Sequence, residues 1–232
     1  MKHKNVAAIL MIAILLFVAI GYINTASKSK PSQEPIESEK RGTLRQQVAR
    51  AKLRGEPQLT LGGIVATYEQ AKSLDNVLAR YSLVVAQPVE QRGYIDEHDS
   101  ISSWYKFKII ETLSNPTTPH SFASFNLPAE LLPLREDEIL VSRLGGTVPV
   151  DGLMVTIQEQ NFPEFKKSRK YLLFLLLDPV RKVGSVGLGP AGALLIKDED
   201  TFESINERTY PLQNEIQNRY GNSFKSLKEK LK

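Results

Sequence analysis

The longest uninterrupted apolar run lies at the N-terminus, Val6 to Ile23 (VAAILMIAILLFVAIGYI), with Lys2 and Lys4 before it. As a helix it spans roughly 27 Å, close to the hydrocarbon thickness of a bilayer. All its faces are apolar, which fits lipid better than the interior of a globule. The leading positive charges orient such a span with the C-terminal bulk outside the cytoplasm. Two outcomes stay open. The run is an uncleaved anchor, or it is a signal peptide removed near Ala19-Ile20-Gly21 and the remainder is secreted. Residues 1–26 are therefore read as a transmembrane anchor or signal peptide.

From Ser27 the pattern changes. SKSKPSQEPIESEKRG has no apolar period and contains two Pro, as a polar tether does. Thr43 to Arg54 predicts a short helix, capped by Thr43 and ended by Gly55 and Pro57, with Leu44, Val48 and Ala51 on one face. It carries Arg45, Arg50, Lys52 and Arg54 and no acid, so it either docks lightly on the domain or lies on anionic headgroups. Residues 27–57 form this linker.

The compact body is expected over 58–232. Tyr68, Ala71, Leu74, Leu78 and Tyr81 recur at three- and four-residue intervals behind a Thr67–Gln70 capping box, predicting a helix. Ser82–Val89 predicts a strand. Ser103–Leu113 predicts another, with Tyr105, Phe107 and Ile109 facing a core and Trp104, Lys106 and Lys108 facing out. Asn115–Pro133 reads as an irregular excursion. Further strands are expected at Glu138–Leu144, Leu153–Glu159, Tyr171–Leu177, Val183–Leu188 and Ala193–Ile196. The continuous apolar run of Tyr171–Leu177 suits a central strand buried on both faces. A helix over 213–232 closes the chain. Six or seven short strands with helices at the ends predict a mainly β (α+β) domain: a small antiparallel OB-like β-barrel or sandwich with peripheral helices.

Composition narrows the chemistry. With no Cys, disulfides, thiolate nucleophiles and Cys-ligated metals are excluded. The net charge of +4 resides entirely in Lys2, Lys4, Lys28 and Lys30. The rest is formally neutral, which argues against a nucleic-acid partner despite a pI near 9.1. Gly187-Leu188-Gly189-Pro190-Ala191-Gly192 matches G-x-G-x-x-G, but a strand rather than a helix is expected after it, so no nucleotide cofactor is assigned. Asp96-Glu97-His98-Asp99 and Asp198-Glu199-Asp200 read as solvated turns rather than metal sites, because they lack the spacing of a calcium loop. His98 and His120 sit in polar or Pro-rich loops, and Gly184-Ser185-Val186-Gly187 is not a nucleophile elbow. Phe162 to Lys170 reads as a solvated basic connector, whose denser patch Phe165-Lys166-Lys167-Ser168-Arg169-Lys170 could alternatively meet an anionic surface. No catalytic, cofactor or metal residues are assigned.

The order helix, Ser82–Ala86, Trp104–Glu111, Lys170–Leu175 resembles uncharacterised exported bacterial β-barrel domains. It is also similar to the OB-like module of the netrin and metalloproteinase-inhibitor proteins, over roughly residues 66–197. That resemblance implies a barrel-type binding scaffold. Inhibition is not carried over, because those inhibitors chelate metal through an N-terminal Cys. The expectation is a membrane-tethered extracytoplasmic module that binds a protein or envelope component. The alternative is an exported hydrolase with a carboxylate-based site, which requires a cleft holding two carboxylates.

Overall fold

The computed structural model describes residues 42–231 apart from 65, 72, 123–126, 199, 207 and 209. The Val6–Ile23 run and the polar tether lie outside the described residues. Among the described residues no helix is long and apolar enough to cross a membrane. The elements are, in order, α1 (Leu44–Leu53), β1 (Gln58–Ile64), α2 (Leu74–Leu78), β2 (Ser82–Ile95), β3 (Ile101–Ser114), β4 (Glu138–Leu144), β5 (Gly146–Val150), β6 (Leu153–Glu159), β7 (Lys170–Asp178), β8 (Val183–Ser185), β9 (Ala193–Ile196), β10 (Phe202–Ser204), α3 (Pro211–Tyr220) and α4 (Phe224–Leu231).

Five strands close a β-barrel. β2, β3 and β4 form an antiparallel meander, β4 pairs in parallel with β8, and β8 and β2 both pair antiparallel with β7. Closure removes the free edges that an open sheet would expose. β9 and β10 extend the sheet beyond β7. The barrel interior holds Val84, Ala86, Tyr105, Phe107, Val141, Leu173 and Leu175. The alternate residues Leu83, Val85, Leu172 and Phe174 face outward, under a layer made by α2, α3 and α4. Being buried on both sides explains why β7 is apolar throughout, each fully buried Leu or Phe contributing about 1.5–3 kcal/mol.

β2 and β3 are longer than the barrel requires. Their distal halves pack against a second, three-stranded sheet in which β6 lies between parallel β1 and antiparallel β5. Gly93 on β2 permits the approach, since a Cβ there would strike the Thr147 carbonyl and the Val148 side chain. Ile101, Val148, Val150, Leu153 and Val155 form this second core, and α1 closes it with Leu44, Val48 and Ala51. The Thr43 cap forms as expected, with Gln46 completing a capping box. The basic helix thus spends its apolar face on protein.

Several local expectations fail for tertiary reasons. There are ten strands among the described residues, and two of them run for 14 residues. Only Leu74–Leu78 is helical in the segment expected to form a long helix, and its cap is Ser73 rather than Thr67. Residues 66–71 stay irregular because Tyr68 and Glu69 take distant partners: Tyr68 bonds Glu159, and the Glu69 N–H bonds the Gly187 carbonyl. The C-terminal helix is two, broken at Gly221, with Ser223 capping the second through the Ser226 N–H. Trp104 does not face solvent. It is 3% exposed, covered together with Leu140 and Val183 by Leu131 from the irregular excursion.

Candidate ligand-binding clefts at Arg143

The seam between barrel and second sheet carries a buried charge cluster. Arg143 stands near the end of β4, opposite Ser103 of β3, and Glu159 is the last residue of β6. Each shares the parity of its strand's core-facing residues: Ile139 and Val141 for Arg143, Leu153 and Val155 for Glu159. Alternation therefore turns both charges inward. Their side chains are 6% and 1% exposed, with Arg143 Nε 3.5 Å from Glu159 Oε2.

Both groups are held by further partners. Arg143 Nη1 donates to the Pro163 carbonyl at 2.9 Å and Nη2 to that of Phe162. The guanidinium lies 4.6 Å from the centroid of the Phe162 ring. The Tyr68 hydroxyl donates to Glu159 Oε1. These bonds hold the β6–β7 loop, from which Phe165 packs edge-on against Tyr105, Phe107 and Tyr171. The connector expected to be solvated is basic only from Lys166 onward; its Phe162 and Phe165 plug the barrel.

Burial pushes the Glu159 carboxyl up to about 7. The guanidinium 3.5 Å away pulls the other way, favouring the carboxylate. Burial lowers Arg143, while Tyr105 and Glu164 act to raise it; a guanidinium nevertheless stays charged at physiological pH. Burial likewise holds the Tyr105 hydroxyl above its ordinary range. In the same region Tyr81 is raised by burial and by its hydrogen bond to Glu69.

Two clefts share Arg143. The first, about 640 Å³, lies against the end of β6 and includes Glu159, Thr147, Thr156, Gln158, Phe162 and Glu164. The second, about 580 Å³, lies on the outer face of β3 and β4, between Trp104, Ser142, Ser185 and the β2–β3 turn at Asp96–His98. Tyr68 stands between the second cleft and a third, about 350 Å³, beside Leu188, Tyr210 and Leu212. All three volumes suit small ligands or single side chains of a partner.

The sequence motifs distribute differently. The Gly187–Gly192 segment contains a short 3₁₀ turn over Gly189–Gly192 that leads into β9, so no helix N-terminus faces a phosphate. Gly189 has φ +56°, and a Cβ there would run into the Tyr68 ring; the glycine serves packing. Asp96 turns back on its own loop, accepting from the N–H groups of His98 and Ser100. His120 packs edge-on against Phe122. Asp200 anchors α4 by accepting from the Lys225 N–H at 2.9 Å and the Ser223 hydroxyl at 3.0 Å. Among the described residues no three His, Asp or Glu side chains are placed to hold a metal. Sequence reasoning missed Arg143, Glu159 and Tyr68. A charge on the apolar parity of a strand was the available signal for the first two; Tyr68 had none, since it was absorbed into an expected helix.

Scans against protein-family models, curated proteins and solved structures find no match for this chain.

Proposed function

We propose that the chain is a membrane-tethered extracytoplasmic binding module built on an OB-like barrel, taking a protein or envelope component at the Arg143 clefts. The observation that carries this reading is the position of those clefts. They flank one immobilised arginine where two sheets meet, and junctions of this kind favour ligand sites. The OB-like assignment draws support from strand order: a three-stranded meander closed through a parallel pair, as in five-stranded Greek-key barrels that bind through their second and third strands and adjoining loops. The second cleft lies over the corresponding strands, β3 and β4, beside the loop that precedes them. The tether rests on Val6–Ile23, which would confine the module to the membrane surface and raise its effective concentration there.

A photo-crosslinking residue in place of Ser142, in the full-length chain in living cells, tests the binding reading. A discrete adduct that is lost when the crosslinker is moved to exposed Val180 supports it. Adducts at neither position, or equal adducts at both, sink it.

One observation favours the alternative, an exported hydrolase. Glu159, pushed up to about 7, and Glu164 line the same cleft. A general acid needs such a group, and a second carboxylate would complete the pair. Glu159 Oε1 is however engaged by Tyr68, and Oε2 lies against Arg143. This arrangement fits a carboxylate that positions its neighbours better than one that delivers a proton to substrate.

A further inference from the structure

The turn between β6 and β7 has a fixed backbone and unpaired charges. Phe162 and Phe165 root it in the barrel core. Beyond them Lys166, Lys167, Ser168, Arg169 and Lys170 are all exposed. Three bonds hold the main chain there. The Lys166 N–H donates to the Tyr171 hydroxyl at 2.8 Å, the Arg169 N–H to the Lys166 carbonyl at 3.0 Å, and the Gln87 amide to the Lys167 carbonyl at 2.8 Å. The neighbouring carboxylates are already engaged. Gln87 pairs with Lys108 across β2 and β3, and Lys108 Nζ lies 3.6 Å from Asp137. Lys170 pairs with Ile196 across β7 and β9, and the next residue, Lys197, lies 2.5 Å from Glu203. Glu164, the nearest acid along the chain, lines the first cleft instead. Among the described residues none of the four cations of the turn has an ion-pair partner.

Four like charges within five positions repel one another and favour an anionic counterpart. These residues line none of the three clefts, so no recess gives the turn the shape selectivity of a small-ligand site. A rigid, exposed block of cations suits an extended anionic surface, such as the headgroups of a bilayer. The proposed tether keeps that surface near. Residues 24–41, between the apolar run and the described body, span at most roughly 65 Å even when fully extended. Any face of the body is therefore within reach of the bilayer, and charge selects the face. An anionic surface favours each nearby Lys or Arg about fivefold, so four together favour it roughly 500-fold. Resting on the tether proposed above, we infer that Lys166, Lys167, Arg169 and Lys170 form a docking surface for anionic lipid headgroups, which turns this end of β7 toward the membrane.

The chain contains no Cys, so one introduced thiol carries one label. Full-length chain with Ser168→Cys, labelled with a fluorophore, is added to preformed vesicles whose headgroups carry a nitroxide quencher. The control is Val180→Cys, at a residue 90% exposed beyond the far end of β7. When about 30 mol% of the phosphatidylcholine is replaced by phosphatidylglycerol, quenching at position 168 should rise roughly threefold or more, and quenching at position 180 should not. The rise should vanish in roughly 0.5 M NaCl, where screening is strong. It should vanish too in a variant combining Lys166→Gln, Lys167→Gln, Arg169→Gln and Lys170→Gln. Those changes leave the backbone bonds of the turn in place, which an unchanged melting temperature checks. Equal quenching at position 168 in both lipids, an equal rise at position 180, or a rise that persists in the glutamine variant overturns the inference. Flotation with pure phosphatidylcholine vesicles reads the tether separately. A chain that floats only with the anionic vesicles keeps this surface and loses the tether. One that floats with both but shows no rise at position 168 keeps the tether and loses the surface. One that floats with neither loses both.

Discussion

Glu159 concentrates the energetics of the site in one side chain. Its carboxyl moves from 4.5 to about 7 on folding because it is buried. The folded state therefore holds the proton more tightly than the unfolded chain does. The associated stability is fully present below pH 4.5 and is lost as pH rises through about 7. At most about 3 kcal/mol is involved, and the Arg143 guanidinium reduces it. Glu159→Gln keeps the shape, removes the titration and can turn its amide oxygen toward Arg143. Thermal unfolding followed across this range should show a falling melting temperature for the parent chain and a flat one for the variant. Parallel curves would mean that Glu159 is ionised throughout and locked to Arg143.

Among the elements, α1 tests whether the linker belongs to the fold. Its four basic residues suggested a helix that either docks lightly or lies on a membrane. It docks, and through the expected face: Leu44, Val48 and Ala51 are all buried in the second core, with Val48 1% exposed. Val48→Ala should cost roughly 2 kcal/mol by opening a cavity there, measurable by urea unfolding. A change below about 0.5 kcal/mol, the level of an ordinary surface substitution, would mean that α1 docks without contributing to stability. Its exposed Arg50 and Leu53 remain available for other contacts. At this scale the strands were the most legible elements. β4, β6 and β9 match their expected ends, since alternation reports burial directly. β1, β5 and β10 were missed. β5 and β10 are short, β5 contains Pro149, and β1 contains Gly62-Gly63. The expected Thr67–Tyr81 helix shows the converse error. A helical period was present, but Tyr68 gains more by reaching Glu159 and the Phe162 ring, 6.1 Å away between centroids, than by joining a helix.

For the whole molecule, a barrel and a second sheet share one long hairpin, and the clefts arise where the two separate. The proposed tether makes a prediction at this scale. The full-length chain should sediment with membranes through high salt and alkaline carbonate, and deletion of residues 1–26 should release it. A full-length chain found in the soluble cytoplasmic fraction would remove the basis for an envelope role. The residue pattern determined the mainly β class, the central place of β7 and the inward faces of β3, because burial acts on each strand through its own alternation. It also carried the apolar N-terminal run, on which the proposed tether rests. Barrel closure, the packing of α1, the covering of Trp104 and the meeting of Arg143, Glu159 and Tyr68 were decided only by tertiary structure. These contacts join residues far apart in the chain, and no local period records which charged side chain will find its counterpart across a seam between sheets.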